Sequence, residues 1–67
     1  MNVILNGKKS VLEKTMSILE LLKLKKIKPE VVTIELNDSI IDKKKFKATS
    51  IKEGDRIEFV YFMGGGC

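Results

Sequence analysis

A chain of 67 residues has room for one domain with a modest core, because a domain this small buries only about 60% of its unfolded surface, so a deep enclosed active site is not expected. Hydrophobic residues at 43% and charged residues at 33% are globular proportions that argue against disorder, and the longest apolar runs are too short for a membrane span or a signal-peptide core. The formal net charge is +4; there is no histidine and a single cysteine, Cys67, so an internal disulfide is excluded, a zinc site is not expected and the commonest general base is missing.

Val3, Ile4 and Leu5 read as a first strand that runs into Asn6-Gly7, residues that tolerate the positive φ of a tight hairpin turn, with Lys9 to Leu12 returning. Ser17-Ile18-Leu19-Glu20 is a capping box, and Met16 and Leu21 occupy the two positions of a hydrophobic staple. A helix is therefore predicted from Ser17, with Ile18, Leu21 and Leu22 on its core face. Lysines at 23, 25 and 26 suit the negative end of its dipole, and Pro29 disfavours helical geometry at Lys28, so the helix should end near residues 24 to 27 after about three turns.

Val31 to Leu36 reads as a strand that ends at the turn Asn37-Asp38, with Ile40 and Ile41 beginning a short return. The lysine-rich segment from Asp42 to Thr49 is expected to be anchored to the core by Phe46. Glu53-Gly54-Asp55 makes a turn before a last strand from Arg56 to Met63. A strand pair, one helix and further strands leave one sheet and one helix, each needing an apolar partner face, so they must cover one another. The expected fold is α+β, a β-grasp with a mixed sheet of four to five strands on one helix. Residues 1–63 form the domain, and Gly64 to Cys67 form a flexible tail with no side chain to pack before the last residue.

On the last strand the side chains alternate, which sets Ile57, Phe59, Tyr61 and Met63 on one face and Arg56, Glu58, Val60 and Phe62 on the other. Arg56 and Glu58 mark the second face as solvent, so Val60 and Phe62 become exposed apolar residues placed to dock a partner. The competing expectation is that the segment from Asp42 to Thr49 covers them, or that they are ordinary surface residues. The lysine runs at 23–28 and 43–47 read first as a solvated face. Such runs attract acidic proteins or nucleic acid, but only Phe46 is interleaved with them, so no base-stacking platform is evident and nucleic acid is not the expected partner.

Taken in order, Ile4-Leu5-Asn6-Gly7, Ser17-Ile18-Leu19-Glu20-Leu21-Leu22, Ile34-Glu35-Leu36-Asn37, Gly54-Asp55-Arg56-Ile57-Glu58-Phe59-Val60 and the terminal glycines span nearly the whole chain. Their order and spacing resemble the ThiS family of ubiquitin-like sulfur carriers. The resemblance implies a protein that is not itself an enzyme and binds no cofactor. A partner adenylating enzyme, akin to the ubiquitin activators, uses ATP to convert the terminal glycine carboxylate to an acyl-adenylate. A sulfur donor such as a cysteine desulfurase then yields a thiocarboxylate, and thiazole synthase receives the sulfur in thiamine synthesis. Matching the family pattern places the sulfur acceptor on Gly66, with Gly64 and Gly65 as the thread before it.

Cys67 departs from that pattern, because it ties the Gly66 carboxyl into a peptide bond. Three readings stand. A peptidase removes Cys67; or Cys67 is tolerated with an unusual terminus; or its thiol attacks the Gly66 carbonyl directly, although a free thiol is mostly protonated at neutral pH. Related carriers serve cysteine, homocysteine, molybdopterin or tungsten cofactor synthesis, and the amino-acid branch includes carriers with a residue beyond Gly-Gly. From other classes, a basic RNA-binding β-grasp module would bind with strong salt dependence, and a pure adaptor would tolerate loss of the tail. The expected compartment is the cytoplasm.

Overall fold

The computed structural model describes residues 1–61, the last of them, Tyr61, through its backbone alone. The first strand, β1 (Asn2–Leu5), pairs antiparallel with β2 (Lys8–Val11) through a turn in which Asn6 and Gly7 have φ of 51° and 81°. Positive φ at both central residues matches the right-handed twist of the strands, which is why Asn-Gly suits this position. Pairing continues past β2, where the Leu12 amide donates to the Met1 carbonyl at 2.8 Å and Leu12 is buried.

The helix α1 (Ile18–Leu24) opens on the expected capping box: the Glu20 amide donates to Ser17 Oγ at 3.1 Å, and the Ser17 amide to Glu20 Oε1 at 2.8 Å. Its seven residues make about two turns rather than three. The reason lies at its far end, where Lys26 adopts φ 60°. The Ile27 amide donates to the Leu22 carbonyl at 2.9 Å and the Lys26 amide to the Lys23 carbonyl at 3.1 Å, the paired bonds of a Schellman cap. Lysine fills the left-handed position that glycine usually holds.

A 3-10 turn (Pro29–Val31) then leads to β3 (Val32–Leu36), so Val31, expected in the strand, instead closes the turn and is exposed. Proline is suited to the first position of such a turn, having no amide to satisfy. Asn37 and Asp38, at φ 51° and 72°, make the second hairpin turn into β4 (Ser39–Ile41). A short 3-10 segment (Lys43–Lys45) delivers Phe46 into the core at 1% exposure, as its isolated ring among lysines suggested. Ile51 is also fully buried, held where its amide donates to the Met16 carbonyl at 2.8 Å.

The last strand, β5 (Arg56–Tyr61), enters the middle of the sheet, giving the order β2-β1-β5-β3-β4. It runs parallel to β1 and antiparallel to β3, so the sheet is mixed. Val3 and Leu5 from β1, Val32 and Ile34 from β3, and Ile57 from β5 bury one face of that sheet. Ile18, Leu21 and Leu22 of the helix belong to the same apolar core. Burying a side chain of this size contributes roughly 1.5–3 kcal/mol relative to exposure. Five strands grasping one helix is the β-grasp arrangement, and no helix among the described residues is long and apolar enough to cross a membrane.

Candidate functional site

The candidate site is built on β5, the strand that leads to the glycines. Its start is tied to the β3–β4 turn by a compact set of polar bonds. The Arg56 amide donates to Asn37 Oδ1 at 2.9 Å, the Asn37 amide to the Arg56 carbonyl at 2.8 Å, and Asn37 Nδ2 to Asp55 Oδ1 at 3.0 Å. The other Asp55 oxygen accepts from the Lys52 amide at 2.7 Å, which holds the turn at Gly54, whose φ of 84° suits glycine. Arg56 also pairs with Asp38 at 2.6 Å; both side chains are more than half exposed, so this ion pair adds little.

Farther along, β1 ends while β5 continues. The β1–β5 register runs through Leu5 opposite Ile57, and β1 then turns away at Asn6. The next inward-pointing amide of β5, that of Phe59, donates instead to Asn6 Oδ1 at 2.7 Å. One side chain thus extends the ladder by one bond beyond the strand that made it. On the opposite side β3 pairs all the way, with Thr33 facing Val60 and Val32 facing Tyr61. The strand is thus held on one flank through Phe59 and on the other through Tyr61.

Alternation along β5 places Ile57 in the core, leaves Phe59 half-buried on the same face, and turns Arg56, Glu58 and Val60 to the outer face. Val60 is 48% exposed, so the segment from Asp42 to Thr49 does not cover it. Its outer-face surroundings are Thr33, directly opposite, and one step back the like-charged cross-strand pair Glu35 and Glu58. Of the sequence-predicted site residues, Val60 is thereby located; Phe62, Gly64, Gly65, Gly66 and Cys67 lie outside the described residues.

Asn6, Asn37 and Asp55 position the strand, and sequence reasoning saw them only as turn formers. Their signal was present in the turn motifs, but the long-range bonds depend on which strands become neighbours. Among the described residues no polar or charged side chain is buried, and no three His, Cys, Asp or Glu residues gather in a metal-binding group.

A mixed sheet in this order over one helix, with a pinned central strand whose sequence continues to glycines, defines a ubiquitin-like β-grasp domain. The ThiS family model matches residues 3–66. The chain belongs to the ThiS family. It is similar to the crystal structure of a thiamine biosynthesis protein (ThiS) from Geobacter metallireducens, with 43% identity, a TM-score of 0.86, and coverage of 98% of this chain and 100% of that one. It is similar also to the solution NMR structure of a thiamine biosynthesis protein from the same organism, with 43% identity, a TM-score of 0.83, and coverage of 100% of this chain and 90% of that one. No curated protein matches the chain.

Proposed function

We propose that the chain is a sulfur carrier of thiamine biosynthesis, a protein co-substrate acted on by an adenylating enzyme of the ubiquitin-activator type. The observation that carries this reading is the extent of the family match, which takes in Gly64, Gly65 and Gly66 and stops before Cys67. The working group is then the carboxylate of Gly66, exposed when a peptidase hydrolyses the Gly66–Cys67 bond, whatever follows Cys67. A thread of three glycines has no Cβ to obstruct a narrow channel in the partner.

The chemistry follows from the poor electrophilicity of a carboxylate. One carboxylate oxygen attacks the α-phosphorus of the enzyme's ATP, pyrophosphate leaves, and the mixed anhydride gives the Gly66 carbonyl a good leaving group. A sulfur nucleophile at the hydrosulfide level, supplied by a persulfide and a reducing thiol when the donor is a cysteine desulfurase, then displaces AMP. The product is a Gly66 thiocarboxylate, whose sulfur passes to thiazole synthase. We place this chemistry in the cytoplasm, where the reducing poise keeps a thiocarboxylate sulfur unpaired. Val60 and Phe62 are the docking residues that present the tail, and the half-exposure of Val60 on the outer face supports that role.

The residue after Gly66 favours a second reading, in which the same carrier chemistry serves cysteine or homocysteine synthesis. The first test is enzyme-dependent ATP–pyrophosphate exchange. A chain ending at Gly66 should support exchange and the chain ending at Cys67 should not. Equal exchange by both, or exchange by neither, would count against Gly66 as the acceptor.

A further inference from the structure

The end of β5 is flanked on the helix side by a cleft of about 350 Å³ whose lining has a consistent chemical character. Its apolar part is Leu5, Ile27 and Phe59, and its charged part is Lys8 and Lys25; no carboxylate lines it. Each residue is placed by a feature already described. Ile27 is set by the Schellman cap on Leu22, and Lys25 is the helix C-cap residue. Lys8 lies directly opposite Leu5 across the β1–β2 ladder, and Phe59 is fixed by Asn6 Oδ1. Among the described residues the one ion pair joins Arg56 to Asp38, so neither cleft lysine is paired with a carboxylate of those residues.

We infer that this cleft receives an acidic segment of the adenylating enzyme, with an apolar side chain of that segment seated between Lys8 and Lys25. The inference rests on the carrier reading and goes beyond Val60 and Phe62, since it concerns the opposite face of the sheet. Three observations select this occupant. The cleft is cationic with no counter-charge among the described residues, so an acidic partner gains attraction without displacing a pair found there. It adjoins the last described residues of the strand that leads to Gly66, where a protein handling the tail must approach.

The third observation concerns nucleic acid. Both cations are lysines, which lack the planar fork that recognises phosphate bidentately, and the one aromatic ring lining the cleft, Phe59, is half-buried against the core, so it does not offer the series of exposed ring faces on which successive bases stack. A structural role for Lys8, as an inward charge that protects an edge strand from pairing with other chains, would leave partner binding indifferent to its sign.

The test measures association of the full chain with the adenylating enzyme of the same cell. The variants are Lys8→Glu/Lys25→Glu, the milder Lys8→Gln/Lys25→Gln, and the control Lys14→Glu/Lys52→Glu, which makes the same change in net charge elsewhere on the surface. Amide NMR spectra establish that each folds. At low salt the association rate should fall at least tenfold for the cleft Glu variant, with the Gln variant intermediate and the control near the unaltered chain. At 1 M salt, where the Debye length is about 3 Å, the differences should vanish. Equal loss in cleft and control variants would overturn the inference and leave the carrier reading intact. A chain ending at Gly66 that binds the enzyme but is not adenylated would instead overturn the carrier reading. A single-stranded RNA oligonucleotide bound more tightly than the enzyme, through the same two lysines, would overturn the protein assignment.

Discussion

Replacing Asn6 by glycine removes the one side chain that links the end of β1 to Phe59 while keeping the positive φ the turn requires. The lost bond is short, at 2.7 Å, and a neutral hydrogen bond contributes about 0.5–1.5 kcal/mol net. Glycine's greater unfolded-state freedom adds roughly 0.5–1 kcal/mol, partly offset because Asn6 no longer occupies a left-handed conformation. The variant should therefore be about 1–2 kcal/mol less stable in urea denaturation. Native-state hydrogen exchange separates the local from the global effect. The Phe59 amide should exchange roughly 5–30-fold faster, and more than amides of Ile34 or Ile57 that keep their partners. Adenylation of a Gly66-ending chain should slow in parallel, because β5 is no longer held at Phe59 on that flank. Exchange at Phe59 accelerated no more than at Ile34 and Ile57, with stability lost uniformly, would refute the idea that Asn6 holds the exit.

Three further substitutions probe other parts of the account. Lys26→Gly should stabilise the protein by about 0.5–1 kcal/mol, since glycine relieves the left-handed strain at the Schellman position but costs backbone entropy, and calorimetry should show a melting temperature higher by roughly 2–8 °C. Glu35→Lys should turn the like-charged pair with Glu58 into an opposite-charged one and add roughly 0.2–1 kcal/mol, an effect that fades with added salt. Val60→Asp should change stability by no more than about 1 kcal/mol, being half-exposed on the outer face, yet weaken binding to the adenylating enzyme at least tenfold in calorimetric titration. A fold lost along with binding would remove Val60 as a docking residue.

Much of this architecture is legible because local and tertiary preferences agree. Asn6-Gly7 and Asn37-Asp38 state their turns through residues that accept positive φ, and Ser17 with Glu20 states the helix start. Alternation on β5 sorts Ile57 from Glu58 and Val60 correctly, because Arg56 and Glu58 cannot be buried without partners. The helix ends at Leu24, inside the expected window of 24 to 27; its shortness, two turns rather than three, comes from a backbone conformation at Lys26, where lysine replaces the glycine that usually signals the stop. Ile51 carries no periodic signal, sitting between Ser50 and Lys52, and is drawn inside by bonds to residues more than thirty positions away. Val60 was legible as a candidate, but Thr33 beside it and the Asn6 tether beneath it emerge only when β5 is inserted between β1 and β3.

The central claim is that Gly66 becomes the sulfur-bearing terminus, and intact-mass analysis of the protein purified from its own cells during growth without thiamine tests it most directly. The account predicts a species whose chain ends at Gly66 and in which one carboxylate oxygen has been exchanged for sulfur. A population in which the Gly66–Cys67 bond remains intact and no sulfur has been gained would contradict it.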